Sequence, residues 1–308
     1  MDYSTIIDEE TWQFIHKSAC FYPESVAQMS IVEQRRVYDA MCRAFAVGRP
    51  RNIKVADIRT GTIGLRHYTV GGGSACIVYF HGGGFVMGGL ESHDDVCAEI
   101  CLATGYDLIS VDYRLAPEHL HPAMFEDALA ATSYVLERNR LPLLLCGDSA
   151  GGNLAAVVAH ALRGKTSKIA GQLLIYPALG GDPASGSYIS HAAAPMLTLD
   201  DITFFEQIRA KGQPPDDDPT FAPLLDKEFS GLPPTIVISA ECDPLSDDGY
   251  HYCQQVAAAG GKTLWINERG LVHGYLRARH TVTRAKRSFA RITSALNDLG
   301  RGVWRGNC

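Results

Sequence analysis

Residues 141–153 read Leu141-Pro142-Leu143-Leu144-Leu145-Cys146-Gly147-Asp148-Ser149-Ala150-Gly151-Gly152-Asn153, and their order decides the fold. A short apolar run, Leu141 to Cys146, has the texture of a strand buried on both faces. It stops at Gly-Asp-Ser-Ala-Gly, and a helical stretch opens at Ala150. Strand, sharp turn and helix in that order would expose the Ser149 hydroxyl at the carboxyl end of a sheet. The small residues at 147 and 151 would let neighbouring backbone approach, and the helix N-terminus would favour negative charge there. The pentapeptide is weak evidence alone in a chain with 30 glycines, so its surroundings decide.

Outward from this stretch, apolar runs alternate with helical patterns. Before it lie Ala75 to Phe80, Leu108 to Val111 and a helix from about Pro122. After it come Ile169 to Tyr176, Thr235 to Ser239, a helix from about Leu245, Thr263 to Ile266 and a last helix from about Leu276. Continuously apolar strands spaced by helices predict a mostly parallel sheet covered on both faces, an α/β architecture. Asn52 to Thr60 and Thr62 to Val70, parted by Gly61, read as an antiparallel hairpin at one edge.

Two segments break the alternation. Residues 1–50 carry helical patterns such as Val32, Arg36, Tyr38, Met41, Cys42 and Phe45, ended by Gly48 and Pro50. Residues 180–222 are rich in Gly, Pro, Asp and Ala, with a helical patch at Ile202 to Ile208. A connection this long inside a compact domain is usually functional. The expected organisation is a cap segment over 1–50 and a catalytic domain over 51–308, with 180–222 contributing to the cap.

The glycine run His81-Gly82-Gly83-Gly84-Phe85 follows the strand ending at Phe80. A tetrahedral intermediate needs main-chain N–H groups aimed at its oxyanion, and such a run lets backbone approach unobstructed. The Ala150 N–H would add a donor, while His81 would fix the loop by hydrogen bonding. A base and an acid for Ser149 should follow on loops after strands. His273, in Gly270-Leu271-Val272-His273-Gly274, meets that requirement, whereas His251 and His280 do not. Asp243, in Cys242-Asp243-Pro244-Leu245, is the candidate acid, with Asp247 and Asp248 as rivals and a helix N-cap as its structural alternative.

The 308-residue chain is 46% hydrophobic and carries a net charge of −6, which offers no basic stripe for nucleic acid. Its start, Met1-Asp2-Tyr3-Ser4 and then Asp8-Glu9-Glu10, lacks the pattern of a secretory signal. No apolar run approaches the roughly 20 residues of a membrane span. A cytoplasmic protein with no membrane partner is expected, its nine scattered cysteines free and mostly buried. His93, Cys97 and Cys101 are spaced to share a helix face and could approach a metal. Val96, Ile100 and Leu102 beside them favour core packing, so no metal is expected.

With these motifs in hand, the chain resembles the bacterial esterases of the hormone-sensitive-lipase type, family IV of the α/β-hydrolases. The matching stretches are His81-Gly82-Gly83-Gly84-Phe85, Asp112-Tyr113-Arg114-Leu115-Ala116-Pro117-Glu118-His119, Gly147-Asp148-Ser149-Ala150-Gly151-Gly152, Cys242-Asp243-Pro244-Leu245 and His273-Gly274. The resemblance implies the α/β-hydrolase fold with a helical cap and hydrolysis of small carboxylic esters with short acyl chains, without a cofactor. It also implies a Ser149–His273–Asp243 triad with oxyanion donors at Gly83, Gly84 and Ala150. An amidase or peptidase on the same triad, and a non-catalytic receptor on the same fold, are the alternatives. A homo-oligomer is left open. Arg114 and Glu118 are expected to form an ion pair that holds their loop.

Overall fold

The computed structural model describes residues 1–306; Asn307 and Cys308 lie outside them, and with them one of the nine cysteines. Eight strands form one sheet: β1 (Lys54–Thr60), β2 (Ile63–Thr69), β3 (Cys76–Phe80), β4 (Asp107–Asp112), β5 (Leu143–Asp148), β6 (Ile169–Ile175), β7 (Thr235–Cys242) and β8 (Thr263–Val272). Their spatial order is β1-β2-β4-β3-β5-β6-β7-β8. The β1–β2 hairpin and the β2–β4 pairing are antiparallel, and every pairing from β4 onward is parallel. This is the mostly parallel sheet with an antiparallel edge that the sequence texture predicts.

Alternation along the central strands explains why they are mainly apolar. In β3, Ile77 and Tyr79 face one core, shared with α3 (Asp94–Thr104) and α9 (Thr283–Gly300). Cys76, Val78 and Phe80 face the other, built with α4 (Ala123–Arg138), α5 (Ala150–Leu162) and α8 (Ser246–Ala258). With successive side chains pointing to opposite faces, a strand covered twice leaves no position facing water, so its few polar side chains, such as Gln172 of β6, are buried as well. The helix ends are fixed locally: α3 stops at Gly105, whose φ of 69° is the left-handed cap that glycine adopts without strain.

Several boundaries differ from the sequence reading, and those of β5, β8 and the last helix are the most informative. β5 begins at Leu143 instead of Leu141, because Pro142 has no N–H for the ladder. The same strand runs on to Asp148, where pairing with β6 continues. β8 extends past Ile266 to Val272 through Asn267-Glu268-Arg269; at the sheet's edge, polar side chains are tolerated. The last helix starts at Thr283, after a separate 3₁₀ turn over Tyr275–Ala278.

The two segments outside the alternation lie over the carboxyl ends of the parallel strands. The first contains α1 (Glu9–Ala19) and α2 (Ile31–Phe45), the latter opened by a Ser30–Glu33 capping box. Arg35 fastens α2 to the strand-end loops, donating to the carbonyls of Val86 and Ala116 and pairing with Glu118 at 2.7 Å. The second contains α6 (Gly186–Ser190) and α7 (Leu199–Ala210), with a Thr198–Asp201 capping box. Among the described residues, no helix is long and apolar enough to cross a membrane.

Candidate active site

Ser149 stands at the β5–α5 turn with φ 55° and ψ −119°, a backbone conformation that L-residues rarely adopt. The turn closes only with small neighbours: a β-carbon on Gly151 would overlap the Phe80 carbonyl, and one on Gly147 would overlap the Gly151 carbonyl. Sharp folding of this kind lifts the Ser149 side chain above the sheet.

His273 follows the end of β8 and Asp243 the end of β7, so adjacent strands deliver both to the Ser149 turn. His273 Nε2 is 2.8 Å from Ser149 Oγ, and His273 Nδ1 is 2.7 Å from Asp243 Oδ2. Asp243 is fully buried, and its other oxygen accepts the Leu245 N–H at 2.9 Å. The carboxylate thus serves the helix entry and the imidazole together. Neither rival acid meets His273: Asp247 accepts the Ser187 N–H, and Asp248 accepts those of Leu179 and Gly180. His280 pairs with Glu99 on the far side of α3.

Gly83, Gly84 and Ala150 line the same cavity as Ser149 and His273. Among the described residues, the Gly83 and Gly84 N–H groups have no protein acceptor, so they are free to receive one from a ligand. Side chain is excluded at Gly84 on two counts: its φ is 61°, and a β-carbon there would lie 2.5 Å from the Phe205 ring. His81 Nδ1 meets the Gly82 carbonyl at 2.9 Å, and its ring stacks on Tyr113 at 4.3 Å. Burial pushes this imidazole down to about 3, which keeps it neutral.

Beneath the turn, Asp148 gathers four donors: Tyr79 OH at 2.7 Å, Gly82 N at 3.0 Å, His93 Nε2 at 3.3 Å and Tyr176 OH at 3.4 Å. Burial opposes its charge, but His93 and Tyr79 outweigh burial and hold the carboxyl well below the usual range. Of the spaced trio His93, Cys97 and Cys101, then, His93 is engaged with Asp148 while the two thiols are buried in the core. Among the described residues no cluster of three His, Cys, Asp or Glu side chains is suited to a metal.

The cavity holds about 680 Å³ and is mainly apolar. Its walls come from both segments outside the sheet, with Tyr22 and Tyr38 from the first and Met196, Phe205, Glu206 and Arg209 from the second. Sequence reasoning located those segments without finding these residues, since only the apolar pair Phe204-Phe205 in the helical patch offered a signal. The expected Arg114–Glu118 ion pair is absent. Arg114 pairs instead with Asp127 at 2.8 Å, and Glu118 pairs with Arg35, which lies 83 positions away along the chain.

Comparison with known proteins gives consistent matches. Residues 77–277 match a family described as having the alpha/beta hydrolase fold. The chain is similar to Esterase LipI of Mycobacterium tuberculosis, 41% identical over 208 residues, which cover 65% of each chain. It is also similar to the carboxylic ester hydrolase LipN of the same organism, 36% identical over 80% of this chain and 70% of the relative. Among solved structures, a hyperthermophilic esterase from the archaeon Pyrobaculum calidifontis superposes with a TM-score of 0.87 at 30% identity, covering 96% of this chain and 99% of that one.

Proposed function

The chain belongs to the α/β-hydrolase family, in its hormone-sensitive-lipase-type group, and from that premise we propose that it is a carboxylesterase acting through an acyl-enzyme on Ser149. The observation that carries this reading is the hydrogen-bonded line from Asp243 through His273 to Ser149, opening on a mainly apolar cavity. Ser149 Oγ attacks the ester carbonyl as His273 Nε2 takes its proton. Negative charge gathers on the carbonyl oxygen, which the N–H groups of Gly83, Gly84 and Ala150 receive. His273 then returns the proton to the departing alcohol, and water repeats the sequence to release the acid. Asp243 holds the imidazole tautomer and stabilises its protonated form.

In the same reading, residues 1–50 and 180–222 form the cap, and residues 51–308 carry the catalytic domain. The apolar walls suit a small ester with a short acyl chain. The names of the relatives favour esters over amides. Among the described residues eight thiols are free, seven of them buried, which suits a reducing cytoplasm. The test is a graded panel of p-nitrophenyl esters given to wild type and Ser149→Ala side by side, with matched amides beside them. A burst of p-nitrophenol in wild type alone supports the acyl-enzyme; equal turnover by both proteins rejects it.

A further inference from the structure

Among the described residues, every buried or half-buried charged group lining the cavity has a hydrogen-bond or ion-pair partner except one. Asp148 and His273 belong to the networks described above. Arg277 donates to the Ser92 carbonyl and to Tyr38 OH. Arg209 is 2% exposed; it donates to the Phe221 carbonyl at 3.0 Å, and the rings of Phe85 and Phe221 cover it at 3.8 and 4.0 Å. Asp201 is taken up by the capping box at Thr198, and Asp200 is exposed in the first turn of α7.

Glu206 differs. It lines the cavity and is half-buried, yet among the described residues its carboxylate has no hydrogen-bond donor and no ion-pair partner. Burial raises its carboxyl above the usual range, and the Arg209 charge only partly opposes this. A carboxylate withdrawn from water with no partner is costly, and a ligand that brings a positive charge beside it offsets that cost.

The surroundings specify the ligand's charge. Tyr22, Phe204 and Phe205 line the cavity with Glu206, and aromatic faces attract cations. The Phe205 ring packs over Gly84, so α7 delivers residue 206 one position from a side chain touching the oxyanion loop. Glu206 lines the same cavity as Ser149, so a substituent on a bound ester can extend toward it. The chain's net charge of −6 favours approach of a cation as well.

We propose that Glu206 and the aromatic wall beside it form a subsite for an ammonium group, so that the enzyme prefers esters carrying a positive charge. The proposal rests on the esterase reading. Two matched pairs test it: acetylcholine against its neutral isostere 3,3-dimethylbutyl acetate, and ethyl 4-(trimethylammonio)butyrate against ethyl 5,5-dimethylhexanoate. The cationic-to-neutral ratio of kcat/KM in each pair is compared between wild type and Glu206→Gln, which cancels the intrinsic reactivity of the esters.

In at least one pair, the wild-type ratio should exceed that of Glu206→Gln by about tenfold. Glu206→Lys should carry the ratio further down, below that of Glu206→Gln. If the ratios of all three proteins agree within about twofold in both pairs, the subsite is overturned. Because each variant is scored against its own neutral ester, a general loss of activity does not imitate the effect. Failure of wild type to hydrolyse any neutral ester would instead reject the esterase reading.

Discussion

Asp148 Oδ1 accepts the Gly82 N–H at 3.0 Å, so the residue before Ser149 fastens the nucleophile turn to the glycine loop. One carboxylate, buried between two strand ends, thereby fixes the spacing of the two loops that the proposed mechanism brings to one carbonyl.

Asp148→Asn retains an acceptor for Gly82 and Tyr79 but turns an amide toward His93 or leaves a donor unmatched. We expect kcat to fall by about tenfold or more with a smaller change in KM, and stability to fall by about 1–3 kcal/mol. Steady-state kinetics with urea unfolding measure both, and an unchanged kcat would contradict a positioning role.

Ser149→Ala and His273→Ala should each remove nearly all turnover, and the double variant should be little worse than either single one. The line at 2.8 Å makes the pair act as a unit, and losses within a unit do not add. Single-turnover rates on a p-nitrophenyl ester decide the matter: retention of more than about a tenth of kcat by Ser149→Ala would displace the nucleophile.

Asp243→Asn should reduce kcat by several orders of magnitude, about ten-thousandfold in the serine-protease precedent, while Asp247→Asn should act mainly on stability. The difference follows from contacts, since Asp243 meets His273 and Asp247 meets Ser187 N. Equal kinetic losses in the two variants would move the acid.

Stability should respond to pH through two buried groups of opposite sign. Burial raises the Asp248 carboxyl to about 7, so its contribution is full below the unfolded value near 3.9 and is lost as pH rises through about 7. His81, depressed to about 3, stabilises above its unfolded value near 6.5 and loses that contribution as pH falls toward 3. Asp248→Asn removes the first titration. Its stability relative to wild type should therefore improve by about 2 kcal/mol between pH 5 and pH 8, as read from urea midpoints. A difference independent of pH would refute this account.

Acyl-chain preference should pass through a maximum. Each buried CH₂ raises kcat/KM by up to about fourfold while it stays inside the apolar cavity, and the gain stops at the walls. Longer chains must displace Phe205 or its neighbours, or lie in water. A p-nitrophenyl series from acetate to palmitate measures the profile, and a continuous rise to palmitate would mean the cavity does not end there.

The central strands were legible because burial on two faces leaves an unbroken apolar run, as in Ala75 to Phe80. At the edge that signal fails: β8 continues through Asn267-Glu268-Arg269, where Glu268 pairs with Arg291 of α9. Ser149, His273, Asp243 and the glycine run could be found because loop chemistry concentrates into short motifs after strands. The cavity walls could not, since Tyr22, Tyr38 and Glu206 have no motif and become neighbours only by long-range packing. The misassigned Arg114–Glu118 pair has the same origin, as Arg35 approaches Glu118 only once α2 has docked.

The backbone of Ser149 carries an evolutionary consequence. Holding a serine at φ 55° and ψ −119° costs of order 1–3 kcal/mol, a cost that glycine largely escapes. With Ser149 as the proposed nucleophile, position 149 sets folding and turnover against each other, and selection for turnover is what maintains the serine. In a lineage that had lost its substrate, glycine would be favoured there for its effect on folding. The residue at this position in a descendant would then record whether chemistry was still being selected.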